Sequence, residues 1–159
     1  MRRFKKKYIT PKKLFYLARI EEEKRFLKKY GLKNKRELWK VDYLIKKIRG
    51  VAKKLITESP EKQQEYIKLL AFKGFVPPNA TLDDVLAINR ENILERRLQT
   101  IVYKLGLANS IKQARQFIVH GHIKIKEKTI NVPSYLVNVE EEKYITLDEN
   151  LKKILKSST

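Results

Sequence analysis

The chain reads as an α+β protein: a basic helical N-terminal region, then a module of two helices packed on a small antiparallel sheet. Three observations predict this. Apolar residues recur at helical spacing through most of residues 10–105. From residue 122 the period changes to two, with Ile123 and Ile125 alternating with His122, Lys124 and Lys126. Glycines at 31, 74, 106 and 121 each fall where a helical pattern runs out.

Taken in order, residues 1–9 form a basic arm without periodicity. Thr10-Pro11 pairs a hydroxyl cap with proline at the first helical position. That predicts a helix to about Tyr30, with Leu14, Leu17, Ala18 and Phe26 on one side and Gly31 stopping it. Asn34 and Glu37 form a capping-box pattern for a helix over about 35–56. Its apolar stripe is Leu38, Val41, Leu44, Ile45, Ile48, Ala52 and Leu55, and Lys40, Lys46, Lys47, Arg49, Lys53 and Lys54 crowd the other faces. Gly50 weakens that helix by up to about 1 kcal/mol relative to alanine.

Ser59-Pro60 opens a helix to about Lys73, closed by Gly74. Thr81 caps a short helix over about 82–87, with Asp83 and Asp84 suited to the dipole of its first turn. Asn89 predicts one further helix running to about Lys104, ended by Gly106. Ser110 and Gln113 form a second capping-box pattern, and Ile111, Ala114, Phe117 and Ile118 make the buried stripe that follows. Gly121 supplies left-handed backbone between that helix and the strand beginning near Ile123. Thr129–Val132 reads as the returning strand, and 136–139 and 144–147 as further strand candidates.

Composition limits what such a chain does. It has 159 residues, of which 42% are apolar, and a formal net charge of +19. That much self-repulsion makes a polyanion the natural partner. The charge is uneven: net +16 over residues 1–56, −2 over 57–93, +6 over 94–137 and −1 over 138–159. Two basic blocks suggest two anion-binding surfaces. There is no cysteine, which excludes disulfides and thiolate metal sites. No stretch is apolar enough for a membrane span or a secretory leader, so a soluble cytoplasmic protein is expected.

Lys112 and Arg115 stand near the N-terminal end of their helix, where free backbone N–H groups favour phosphate. The strand after it has a basic face. The unit therefore looks built to grip phosphates by shape, the way RNA duplexes and junctions are read.

The stretch LERRLQTIVYKLGLANSIKQARQFIVHGHIKIKEKTINVPSYLV resembles the RNA-binding module named for small-subunit ribosomal protein four, in its archaeal and eukaryotic branch. The residues that carry the likeness are Arg97-Leu98, Gly106, Ser110, Gln113-Ala114-Arg115, Ile118, His120-Gly121-His122-Ile123 and Pro133-Ser134-Tyr135. The upstream LKKYGLKNKRELWK and ATLDDVLAI are similar too. The resemblance implies a structural constituent of the small ribosomal subunit that binds rRNA at a multi-helix junction early in assembly. It implies four parts: an extended arm (1–9), a helical rRNA-binding region (10–93), the module (94–139), and a C-terminal strand and short helix (140–159). Two departures stand out. Lys126-Glu127-Lys128 replaces the usual Asn-Gly turn, so a longer or irregular turn is expected. The N-terminal cysteine zinc site of some relatives has no counterpart.

The RNA-contacting residues expected are Arg2, Arg3, Lys5, Lys6 and Lys7 in the arm; Lys46, Lys47, Arg49 and Lys53 in the long helix; and Arg96, Arg97, Lys112, Arg115, His122, Lys124 and Lys126 in the module. The arm is expected to order along RNA, with Phe4 or Tyr8 stacking on a base. Expected partners are small-subunit rRNA, neighbouring small-subunit ribosomal proteins and mRNA near its entry site. No cofactor, metal, membrane or self-association is expected. The enzyme alternative, this module attached to an RNA-modifying enzyme, lacks a Gly-rich nucleotide loop or a catalytic carboxylate cluster in residues 1–93. A stand-alone ribosome- or tRNA-binding factor sits poorly with the long basic N-terminal region.

Overall fold

The computed structural model describes residues 6–13 and 15–148. Arg2, Arg3, Phe4, Lys5, Leu14 and the short helix expected near the C-terminus lie outside the described residues. The elements are α1 (Leu17–Lys29), α2 (Lys35–Leu55), α3 (Pro60–Phe72), α4 (Leu82–Ala87), α5 (Arg90–Glu95), α6 (Leu98–Lys104), α7 (Ile111–Val119), β1 (Ile123–Ile125), β2 (Lys128–Thr129), α8 (Val139–Glu142) and β3 (Ile145–Leu147).

Two hydrophobic clusters form. The first is helical and centres on α2, whose Leu38, Val41, Ile45, Ile48 and Ala52 pack with Leu70, Val85, Ile93 and Leu94 from α3, α4 and α5. The second gathers Leu98, Ile101 and Val102 of α6 and Ala114, Phe117 and Ile118 of α7 over Ile123, Ile125, Ile145 and Leu147 of the sheet. That sheet is antiparallel in the order β2-β1-β3. Its alternation buries Ile123 and Ile125 and leaves Lys124 out.

Local signals hold where the partner is a few residues away. Asn34, Thr81 and Ser110 each accept a hydrogen bond from the backbone N–H three residues on. Thr81 and Asp84 complete a reciprocal box. Neither Glu37 nor Gln113 closes one on its own cap: Glu37 accepts from Lys33 N and Gln113 from Asn109 N. Gly121 has φ +79, as the helix-to-strand switch requires.

Five expectations fail. The helix opened by Thr10-Pro11 starts instead at Leu17; Leu17 is 73% exposed and Ala18 is exposed too, while Phe26 of the same stripe packs against the first cluster. The single helix over 89–104 is two, broken at Arg97, whose ψ of 139° is extended. The chain segment after Pro133 runs alongside this break: Leu98 N donates to Tyr135 O at 2.8 Å and Val137 N to Arg96 O at 2.9 Å. Leu136 is thus an isolated bridge to Arg97 rather than part of a strand, and Val139 begins α8. Finally, Ile125 pairs with Lys128, which makes the hairpin a tight two-residue turn, with Lys126 at φ 57°. The sheet register, anchored by β3 on the far side of β1, imposes the positive φ that glycine would adopt without strain. The returning strand is correspondingly short, ending at Thr129 instead of Val132.

Candidate nucleic-acid interface

The basic residues divide by side chain. Along α2, Lys46, Lys47 and Lys53 are exposed, as is Lys54. In the module, Lys112 is exposed in the first turn of α7, and Lys124 stands on the outer sheet face between Thr129 and Thr146, its cross-strand neighbours. Lys126 is exposed at the hairpin tip, its ammonium 5.0 Å from the Tyr144 ring centroid. His122 is half-buried, edge-on to Phe117, with Nδ1 4.0 Å from Asp148. In the arm, Lys6 and Lys7 are exposed.

Four of the expected arginines, Arg49, Arg96, Arg97 and Arg115, bond within the protein. Arg97 is 4% exposed, and its guanidinium meets Glu37 at 2.5 Å. Arg115 donates to the same carboxylate at 3.0 Å and to Gln99 Oε1 and Gly31 O. Arg96 donates to Val137 O and Glu142. Arg49 donates to Ile88 O at 2.7 Å. Their planar forks satisfy carbonyl and carboxylate oxygens at once, which a lysine ammonium does less well. These guanidinium groups thus hold the protein to itself; Arg97 is buried, whereas Arg96, Arg115 and Arg49 stay partly exposed. Tyr8 stacks on Trp39, with ring centroids 6.3 Å apart.

Glu37 is the residue sequence patterns do not expose. Only its place after Asn34 marks it, yet it joins the two clusters. Burial pushes its carboxyl up, but the hydrogen bond from Arg115 and the charges of Arg97 and Arg115 outweigh that and hold its pKa low. Burial lowers the Arg97 pKa against the pull of Glu37, though a guanidinium has ample margin to stay charged. Around this triad, Gln99 donates to Gly31 O and Ile111 O, and a Cβ on Gly31 would stand 2.7 Å from Gln99 Nε2. The seam is thus closely packed as well as ionic. A second hub, Arg90, binds Asp42 with two nitrogens, reaches Glu22 and lies over Phe26, tying α5 to α1 and α2.

A two-helix, three-strand module with outward lysines defines a nucleic-acid-binding protein of the S4-domain class, and the S4 domain family matches residues 96–143. The likeness extends well beyond that module. The chain is 47% identical to small ribosomal subunit protein uS4 of Methanococcus aeolicus, covering 94% of this chain and 87% of the relative. It is 45% identical to that of Picrophilus torridus over 91% and 83%, and 44% identical to that of Methanosphaera stadtmanae over 89% and 80%. The chain belongs to the small ribosomal subunit protein uS4 family.

Proposed function

We propose that this protein is an rRNA-binding structural constituent of the small ribosomal subunit. The observation that carries the reading is 47% identity to a small ribosomal subunit protein along 94% of the chain. The outward lysines support it independently, because phosphate contacts supply most of the affinity in such complexes. Lys46, Lys47 and Lys53 of α2, and Lys112, Lys124, Lys126 and His122 of the module, are the proposed contacts, with Lys6 and Lys7 continuing from the arm. Two basic surfaces on one body suit a junction where several RNA helices meet, and a junction binder acts early in assembly. The same reading has the protein act as a single copy on cytoplasmic ribosomes, beside other small-subunit proteins and mRNA near its entry site.

The test is a salt titration of binding to structured small-subunit rRNA. Log K falls with log[salt] at a slope of roughly −0.7Z to −0.9Z for Z phosphates neutralised. A flat titration overturns the reading. So does failure to co-sediment with small subunits after a high-salt wash.

A further inference from the structure

Gly50 has no reason to be glycine that the fold itself supplies. The chain's other four glycines have positive φ, whereas Gly50 is an ordinary helical residue inside α2. A Cβ built on it meets nothing within 4 Å, so internal packing does not exclude a side chain. Glycine is a costly residue inside a helix.

Its surroundings point outward. Lys46 and Lys47 precede it by four and three residues, and Lys53 and Lys54 follow it by three and four. Those spacings place all four around it on the helix surface. All are exposed, and none takes part in an ion pair among the described residues. Gly50 also lines an open groove of about 750 Å³. The acids lining that groove are already engaged: Glu22 of α1 and Asp42 of α2 by Arg90, Glu91 of α5 by Lys29. The unpaired charge facing the groove is positive.

We propose that Gly50 is a contact window for one RNA sugar-phosphate strand, which lies against bare helix backbone while the surrounding lysines reach its phosphates. A missing Cβ lets the strand approach closer by the depth of a methyl group. Lysine–phosphate attraction grows as that distance shrinks. Backbone rather than base contact makes the window indifferent to sequence. The inference rests on the rRNA-binding reading and adds a particular site, in the helical region and outside the S4 domain.

The full chain is compared with Gly50→Leu and with the double variant Lys46→Gln/Lys53→Gln, the two lysines that line the groove, binding small-subunit rRNA across a salt series. Leucine is a strong helix former, so Gly50→Leu raises the melting temperature by about 2–4 °C. Its RNA affinity nevertheless drops about tenfold, the scale of losing one or two phosphate contacts. The double lysine variant reduces the salt slope by about two. If the parent chain binds and Gly50→Leu binds equally tightly with the same slope, the window is wrong and the rRNA reading stands. A lowered melting temperature for Gly50→Leu also overturns it, by revealing an internal need for glycine. If the parent itself shows no salt-sensitive binding, the rRNA reading fails, and the window with it.

Discussion

The cluster around α2 is held by helices alone, and the long helix at its centre turns a row of lysines to solvent. The cluster between Leu98 and Leu147 packs two helices on a sheet, and three arginines of its own segment, Arg96, Arg97 and Arg115, are turned inward. Net charge by segment suggests two basic faces of comparable kind. The structure separates them: much of the module's arginine charge fastens it to itself and to Glu37, leaving lysines as its outward cations. A positive count measures attraction to a polyanion only after the internally neutralised cations are subtracted.

Glu37→Ala breaks this comparison most severely. It leaves Arg97 buried without its carboxylate, and stranding one partner of a buried pair costs about 3–5 kcal/mol. Urea denaturation measures the loss, and a cost below about 1 kcal/mol, the range of surface pairs, would show the seam to be unimportant. The same pair sets a pH dependence. Because Glu37 is held below its usual 4.5 in the folded state, its contribution is present above that pH and is lost as pH falls through the lower folded value. The stability gap between parent and Glu37→Gln therefore narrows under acid, below about pH 4.5, in melts recorded from pH 6 to 3.

Gly121→Val comes next, at about 1–3 kcal/mol. Its φ of +79° disfavours a β-branched residue, and the new Cβ would stand 3.3 Å from Asn131 Oδ1. An unchanged melting temperature would contradict this. Thr81→Ala and Ser110→Ala remove one cap on each side of the seam, each at about 1 kcal/mol. Measured together, they ask whether the two clusters unfold as one unit: equal shifts in a single transition mean they do, and separate transitions mean they do not. The smallest stability effect belongs to Lys124→Gln and Lys126→Gln, within about 0.5 kcal/mol. Each nevertheless lowers the salt slope of RNA binding by about one. Arg97→Gln shows the opposite pattern, a large stability loss, and a stable Arg97→Gln protein would return that residue to the RNA face.

The sequence alone determined the α+β class, the ends of α2, α4 and α7, and the left-handed turn at Gly121. Each of these depends on groups within a few residues: a cap on a nearby N–H, a stripe at fixed spacing, a glycine at the point of reversal. Only the tertiary structure decided the break at Arg97, because Tyr135 and Val137 compete for its neighbours' backbone groups from about forty residues away. It also decided the start of α1, where a sound cap-and-proline signal lacked an apolar surface to bury its first turn. Most of all it decided which cations face outward. Arginine and lysine count alike in a charge sum, but a buried carboxylate such as Glu37 is matched by a planar guanidinium, and where those partners meet is set by packing between distant segments.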